Sequence, residues 1–193
     1  KFPGLCTPDE SYHGLTYVKA FGKMGYTTKL VAQLMRDLGS IPAPMNSFIL
    51  NLGLQTLHLR MAQHCSNAQR VAEFLQADPR VAWVHYSGLP GDAYHELAEK
   101  YLPGGSCGVI AFGLKGDRET AIRFMDSLDM INIVTHVADA RTCVLHPASH
   151  THRQLSDEQL REAGVAPDLI RLSVGIEDCD DILDDIRQAL DKI

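Results

Sequence analysis

The chain has 193 residues, 45% hydrophobic and 22% charged, with a formal net charge of −6. That is enough for one domain with a sizeable core, or a domain plus an appended segment, and the acidic balance argues against nucleic acid or an anionic membrane as partner. Five scattered cysteines (Cys6, Cys65, Cys107, Cys143 and Cys179) with no C-x-x-C spacing argue against a disulfide framework or zinc ribbon and suit a reducing cytoplasm; no apolar run approaches the length of a bilayer span.

Residues 1–15 read as loop, broken by Pro3, Gly4, Pro8 and Gly14. The opening Lys1-Phe2-Pro3-Gly4-Leu5 has no signal-peptide layout and is read as a cut inside a longer protein. Tyr17 to Leu38 is helical in pattern, with breaks expected at Gly22 and Gly25 and a stop at Gly39. A second helical stretch runs from Met45 to Gln76, as two helices or one bent helix; its first apolar stripe is Met45, Phe48, Ile49 and Leu52. Asp78-Pro79 ends it.

The period then changes. Val81–His85, Cys107–Leu114, Ile131–Thr135, Cys143–His146 and Leu169–Val174 read as strands. Between them, helices are expected over Tyr94–Tyr101, over Asp117–Leu128 with Asp117 as N-cap, and from Ser156, where Ser-Asp-Glu-Gln matches a capping box. Cys179–Ile193 closes the chain as an amphipathic helix whose early acids suit the helix dipole. This alternation predicts an α/β (α+β) sandwich, its sheet covered by helices on one face. Residues 78–193 would form that domain and residues 1–77 the loop and connecting helices before it.

Five features invite a chemical reading. Arg171, inside an apolar strand, is costly unless paired; its planar fork suits a bidentate carboxylate ligand, with an internal salt bridge as the alternative. The polar turn Asp139-Ala140-Arg141-Thr142 offers hydroxyl and backbone N–H groups to an anion, or is an ordinary loop. His146, His150 and His152 match no strong metal spacing, and no metal site is expected. Thr28-Lys29 sits in a helical pattern, where a solvated lysine is expected rather than a Schiff-base one. The acidic run Glu177–Asp185 lacks an EF-hand glycine and reads as capping and solvated face.

Several segments together resemble one family, the cystathionine γ-synthase-like enzymes of Cys/Met metabolism, which use pyridoxal 5'-phosphate on a type I fold. They are Lys1–Leu5 with Tyr12-His13-Gly14-Leu15, Leu34–Gly39, Gly53–Met61, His146-Pro147-Ala148-Ser149 through Ser156, and Gly164-Val165 through Asp178. Thr7-Pro8-Asp9 and the His-Pro-Ala-Ser stretch are most similar to its O-acetylhomoserine sulfhydrylase branch. The resemblance implies the C-terminal domain of the type I transferase fold, preceded by long connecting helices. It implies that Arg171 grips the substrate α-carboxylate and that Thr142 supplies the loop hydroxyl. Ala138 stands where the family has glycine, and Arg141 where it has Lys or Glu.

The implied reaction is γ-replacement: acetate leaves O-acetylhomoserine, sulfide adds, and homocysteine forms as part of methionine biosynthesis. The cofactor lysine, phosphate clamp, stacking aromatic and pyridine-nitrogen aspartate are expected upstream. Hence no covalent cofactor and no turnover are expected of these 193 residues alone, and a homo-oligomer, as tetramer, is expected of the intact enzyme. The front third would expose surface meant for the rest of the protein. The alternatives are a piece of a cystathionine γ-synthase or of a methionine or cystathionine γ-lyase, a stand-alone binding or dimerisation module, and a histidine-metal hydrolase.

Overall fold

Where the sequence turns from connecting helices to alternating strands, one helix does more than connect. The computed structural model describes residues 2–193 and divides into two compact units, one running to Leu54 and the other from Gln55 to Ile193. The boundary thus precedes the long helix rather than following it at residue 77.

The first unit is a string of short helices: α1 (Pro3–Cys6), α2 (Tyr17–Phe21), α3 (Gly25–Lys29), α4 (Arg36–Leu38) and α5 (Pro44–Gln55). A 3₁₀ turn at Gly22–Met24 separates α2 from α3, as the glycines foretold. Gly22 has φ 53. A Cβ on Gly25 would lie 3.1 Å from the Tyr17 backbone, a tight contact that glycine avoids where the two helices meet. Leu30–Met35 is a π-helical turn, which the sequence did not announce.

Lys29 is not the solvated lysine expected. Its Nζ donates to the Gly4 carbonyl at 2.8 Å and pairs with Asp9 at 2.7 Å, and it lies 5.2 Å from the centre of the buried Tyr17 ring. Donation from Lys29 and Ser11 holds the Asp9 carboxyl well down, at about 2. The apolar stripe of α5 is open, with Met45, Phe48, Ile49 and Leu52 all more than half exposed.

The second unit opens with α6 (Leu57–Ala77), separated from α5 by Thr56. Then come β1 (Val81–His85), α7 (His95–Tyr101), β2 (Val109–Leu114), α8 (Arg118–Asp126), β3 (Asn132–Ile133), β4 (Cys143–Leu145), α9 (Asp157–Glu162), β5 (Ile170–Ser173) and α10 (Cys179–Leu190). The sheet order is β1-β2-β5-β4-β3, antiparallel except for the β3–β4 pair. The caps form as expected. Asp117 accepts from the Thr120 N–H at 3.0 Å, and Ser156 and Gln159 make a complete capping box.

The strand period sorts side chains to two faces. Ile110, Phe112 and Leu114 of β2, Val144 of β4, and Ile170 and Leu172 of β5 share one core with Ala68, Val71, Ala72 and Leu75 of α6, Phe124 of α8 and Ile182 and Ile186 of α10. The Phe112 and Phe124 rings meet edge to face, centroids 5.9 Å apart. Each of these large side chains contributes about 1.5–3 kcal/mol when fully buried, which is why α6 belongs with the sheet. The intervening positions, among them Ala111, Arg171 and Leu145 as cross-strand neighbours, point to the other face.

A buried carboxylate ties α10 to the turn after α8. Asp185 accepts from the backbone N–H groups of Asp129 (2.8 Å), Met130 (3.0 Å) and Ile131 (2.8 Å) and from the Gln188 side chain (2.9 Å).

Candidate functional site

Arg171 sits in the middle of the sheet, on the face its helices leave free. Ala111 of β2 and Leu145 of β4 flank it. It is half-buried. Its Nη2 donates to the Thr135 carbonyl at 2.9 Å, with the His136 carbonyl at 3.4 Å. Its Nε is buried with no acceptor, and none of the ion pairs among the described residues includes Arg171. The internal salt bridge that would have explained this arginine away is therefore absent. A guanidinium held by carbonyls, with an orphaned donor and no counter-ion, is suited to an anion supplied from outside, and its fork suits a carboxylate.

The segment that holds Arg171 is the loop between β3 and β4. Ala138 has φ 61, in the left-handed region, and its N–H donates to the Ser173 hydroxyl at 3.0 Å. The loop therefore keeps, with an alanine, a backbone shape that glycine takes without strain. Asp139 folds back on its neighbours: its carboxylate accepts from the Arg141 N–H at 3.0 Å and pairs with the Arg141 side chain, which hold its carboxyl down at about 2.

Thr142 lies at the end of this loop, but its polar groups turn inward. Its N–H donates to Glu177 Oε1 at 2.6 Å and its hydroxyl to Glu177 Oε2 at 2.9 Å, and the hydroxyl accepts from the Gly175 N–H at 2.9 Å. Only 1% of Thr142 is exposed. It shapes the loop and offers a ligand neither its N–H nor its hydroxyl proton. The residues that reach Arg171 are Thr135 and His136, through carbonyls that carry no sequence signature.

Glu177 was missed because the acidic run around it reads as capping. Asp178 does cap α10, accepting from the Asp180 N–H at 2.9 Å, and Asp180 pairs with Arg70 at the surface. Glu177 instead points back at Thr142. Gly175 was the available signal. A Cβ there would lie 2.6 Å from the Thr142 nitrogen and would also collide with the Ala140 carbonyl and the Glu177 carboxylate, and a glycine at a strand end often marks such a close approach.

The three histidines do not converge. His146 is fully buried, its Nε2–H donating to the Pro167 carbonyl at 2.9 Å and its Nδ1 accepting from the Ser149 hydroxyl at 2.8 Å; burial pushes its pKa below the ordinary histidine value. His150 Nδ1–H donates to the His146 carbonyl at 3.1 Å, and His152 contacts Thr151. Among the described residues there is no group of three or more potential metal ligands, and no helix is long and apolar enough to cross a membrane.

A Schiff-base lysine must be desolvated and free of a carboxylate partner. Lys29 is ion-paired with Asp9, and Lys19, Lys23, Lys100, Lys115 and Lys192 are exposed. Arg171 thus suits a carboxylate, while none of the lysines among the described residues has the surroundings that covalent attachment of pyridoxal phosphate needs.

Comparison with known proteins adds the chemistry. A sequence model of the family described as Cys/Met metabolism PLP-dependent enzyme matches residues 13–191. An O-acetyl-L-homoserine sulfhydrylase of Thermus thermophilus is 41% identical over 190 residues, covering 98% of this chain and 45% of that protein. A homocysteine/cysteine synthase of Saccharomyces cerevisiae is 40% identical over 203 residues, covering 100% and 46%. The crystal structure of a putative O-acetylhomoserine (thiol)-lyase from Campylobacter jejuni, with N'-pyridoxyl-lysine-5'-monophosphate, superposes with TM-score 0.85 at 37% identity, covering 98% of this chain and 45% of that one. The chain thus spans just under half the length of these relatives.

Proposed function

The chain belongs to the Cys/Met metabolism PLP-dependent enzymes, and from that premise we propose that it is the C-terminal portion of an O-acetylhomoserine sulfhydrylase. The longer protein would make homocysteine and acetate from O-acetylhomoserine and sulfide. Sulfhydrylases and homocysteine synthases about 40% identical over nearly the whole chain support that branch.

Within the reaction, these residues hold the amino-acid end of the substrate. Arg171 receives the α-carboxylate; its missing counter-ion and orphaned Nε are the observation that carries this reading. The Thr135 and His136 carbonyls orient the guanidinium from one side, leaving the rest of the fork for the ligand. Thr142 serves by fixing the loop. Pyridoxal phosphate supplies the electron sink of the reaction when bound. Its lysine lies in the part of the longer protein that these residues do not include, so the 193 residues alone are expected to show no turnover. The open apolar side of α5 fits a surface covered in a homo-oligomer, a tetramer by family resemblance.

The test is made in the full-length enzyme. Arg171→Ala raises KM for O-acetylhomoserine by roughly 30- to 5,000-fold, the cost of about 2–5 kcal/mol for truncating one partner of a buried charged pair. Arg171→Lys recovers part of this, since it keeps the charge and loses the fork. An unchanged KM in Arg171→Ala refutes the assignment. Assay with sulfide against cysteine as acceptor separates a sulfhydrylase from a γ-synthase, and elimination without added thiol identifies a γ-lyase.

A further inference from the structure

We propose that Glu177 is a positioning residue for substrate binding, acting on Arg171 through the β3–β4 loop. The inference rests on the carboxylate reading of Arg171 above. The loop that presents the Thr135 carbonyl has little else to fix it. Thr135, His136, Val137, Ala138, Ala140 and Arg141 are all exposed, so no core side chain sets its path. Within the loop the Asp139 carboxylate accepts from the Arg141 N–H at 3.0 Å; hydrogen bonds to the neighbouring strands and to residues 173–177 tie the loop down at three places. The Val134 N–H donates to the Val144 carbonyl at 3.1 Å where the loop begins. The Ala138 N–H donates to Ser173 Oγ at 3.0 Å at its crest. At its end the Ile176 N–H donates to the Ala140 carbonyl at 2.9 Å, and Glu177 takes both the N–H and the hydroxyl of Thr142.

The last of these is the strongest anchor, because its acceptor is a carboxylate and one bond is only 2.6 Å long. Glu177 is itself held from α6. Asn67, 1% exposed, donates to the Glu177 carbonyl at 2.8 Å and to the Gly175 carbonyl at 3.1 Å. His64, 3% exposed, donates Nδ1–H to the Val174 carbonyl at 2.7 Å. Hydrogen bonds thus run from α6 through residues 174–177 to Thr142, and the chain leading back from Thr142 carries that anchor to the carbonyls on Arg171. Releasing the Glu177 end lets the loop drift, and Nη2 loses the acceptor that aims the fork.

The experiment is a double-mutant cycle in the full-length holoenzyme, read as KM for O-acetylhomoserine, kcat and urea midpoint. Glu177→Ala is expected to raise KM about 10-fold with kcat within about 2-fold, a loss of binding rather than of chemistry. In an Arg171→Ala background the same change is expected to alter KM by less than about 2-fold, because a residue acting through Arg171 has nothing left to act on. Glu177→Gln keeps one oxygen for the Thr142 N–H and is expected to fall between wild type and alanine; it carries the cycle if the alanine variant does not fold. An equal penalty in both backgrounds, or an unchanged KM in the Arg171-intact enzyme, overturns the assignment. If Arg171→Ala itself leaves KM unchanged, the carboxylate reading falls and this inference with it. A changed KM there with additive penalties removes Glu177 alone.

Discussion

Asp185 offers the sharpest test of how the sheet unit holds together. Its Oδ1 accepts from the Asp129 N–H and the Gln188 amide, and its Oδ2 from the Met130 and Ile131 N–H groups. Replacing it with asparagine keeps the shape but turns one oxygen into a donor. Two of the four bonds are lost whichever way the amide settles. Asp129 and Met130 are exposed whereas Ile131 is buried, so the amide nitrogen settles toward Asp129 and Gln188, where water replaces what is lost. Hydrogen bonds to charged groups contribute about 1.5–3 kcal/mol each and water recovers part of that, so Asp185→Asn costs about 2 kcal/mol. Asp185→Ala leaves the Ile131 N–H with no acceptor and costs about 3–4 kcal/mol. With a urea slope of about 2 kcal/mol/M, the midpoints fall by about 1 M and 1.5–2 M. Equilibrium urea unfolding followed by far-UV circular dichroism reads both. An alanine variant within about 0.3 M of wild type would show that the three amides gain nothing from the carboxylate.

Two further outcomes follow from local geometry. Ala138 at φ 61 bears about 1–2 kcal/mol of left-handed strain, while a glycine there costs about 0.5–1 kcal/mol in unfolded-chain entropy. Ala138→Gly therefore raises stability by about 0.5–1 kcal/mol, seen as a melting temperature about 1–4 °C higher; a lower one contradicts the strain. His146 is neutral in the fold, with its pKa pushed below the ordinary 6.5 by burial. Its contribution to stability is complete above that value and is lost as pH falls from there through the depressed folded pKa, because the unfolded chain binds the proton first. Urea midpoints between about pH 8 and 5 should decline on the acid side and flatten in His146→Gln; a wild-type midpoint that rises toward acid refutes the assignment.

The fold was legible where one residue's environment depends on its near neighbours. Every expected strand and helix after residue 80 has a counterpart, Val81–His85 with the same bounds and the others trimmed at one or both ends, because apolar alternation and caps such as Asp117 and Ser156 are local signals. Other features lay beyond that reach. The pattern of α5 shows it to be apolar; that Phe48 and Leu50 are more than half exposed agrees with the open front third that the resemblance implies, and is not readable from the helix alone. The π-turn at Leu30–Met35 has a spacing that an α-helical stripe resembles. The acids of α10 follow one helical pattern, yet Asp185 finds its partners 54 to 56 residues away in the chain, and nothing in the helix itself records that.

The site follows the same division, and this explains why one of its residues stood out while the others did not. Arg171 breaks the apolar pattern of its own strand, so it was visible from β5 alone. Thr135 and His136 act through carbonyls, which every residue has. Thr142 stands out in the sequence for a hydroxyl that in the fold serves Glu177 rather than a ligand. Substrate recognition here would consist of one conspicuous side chain and a backbone aimed at it. The aim is set by groups that look ordinary in sequence: an acid in an acidic run, a glycine at a strand end and an alanine in a left-handed turn. Substitutions at Glu177, Gly175 or Ala138 should therefore alter affinity through Arg171 while leaving Arg171 itself unchanged, which is the coupling the double-mutant cycle measures.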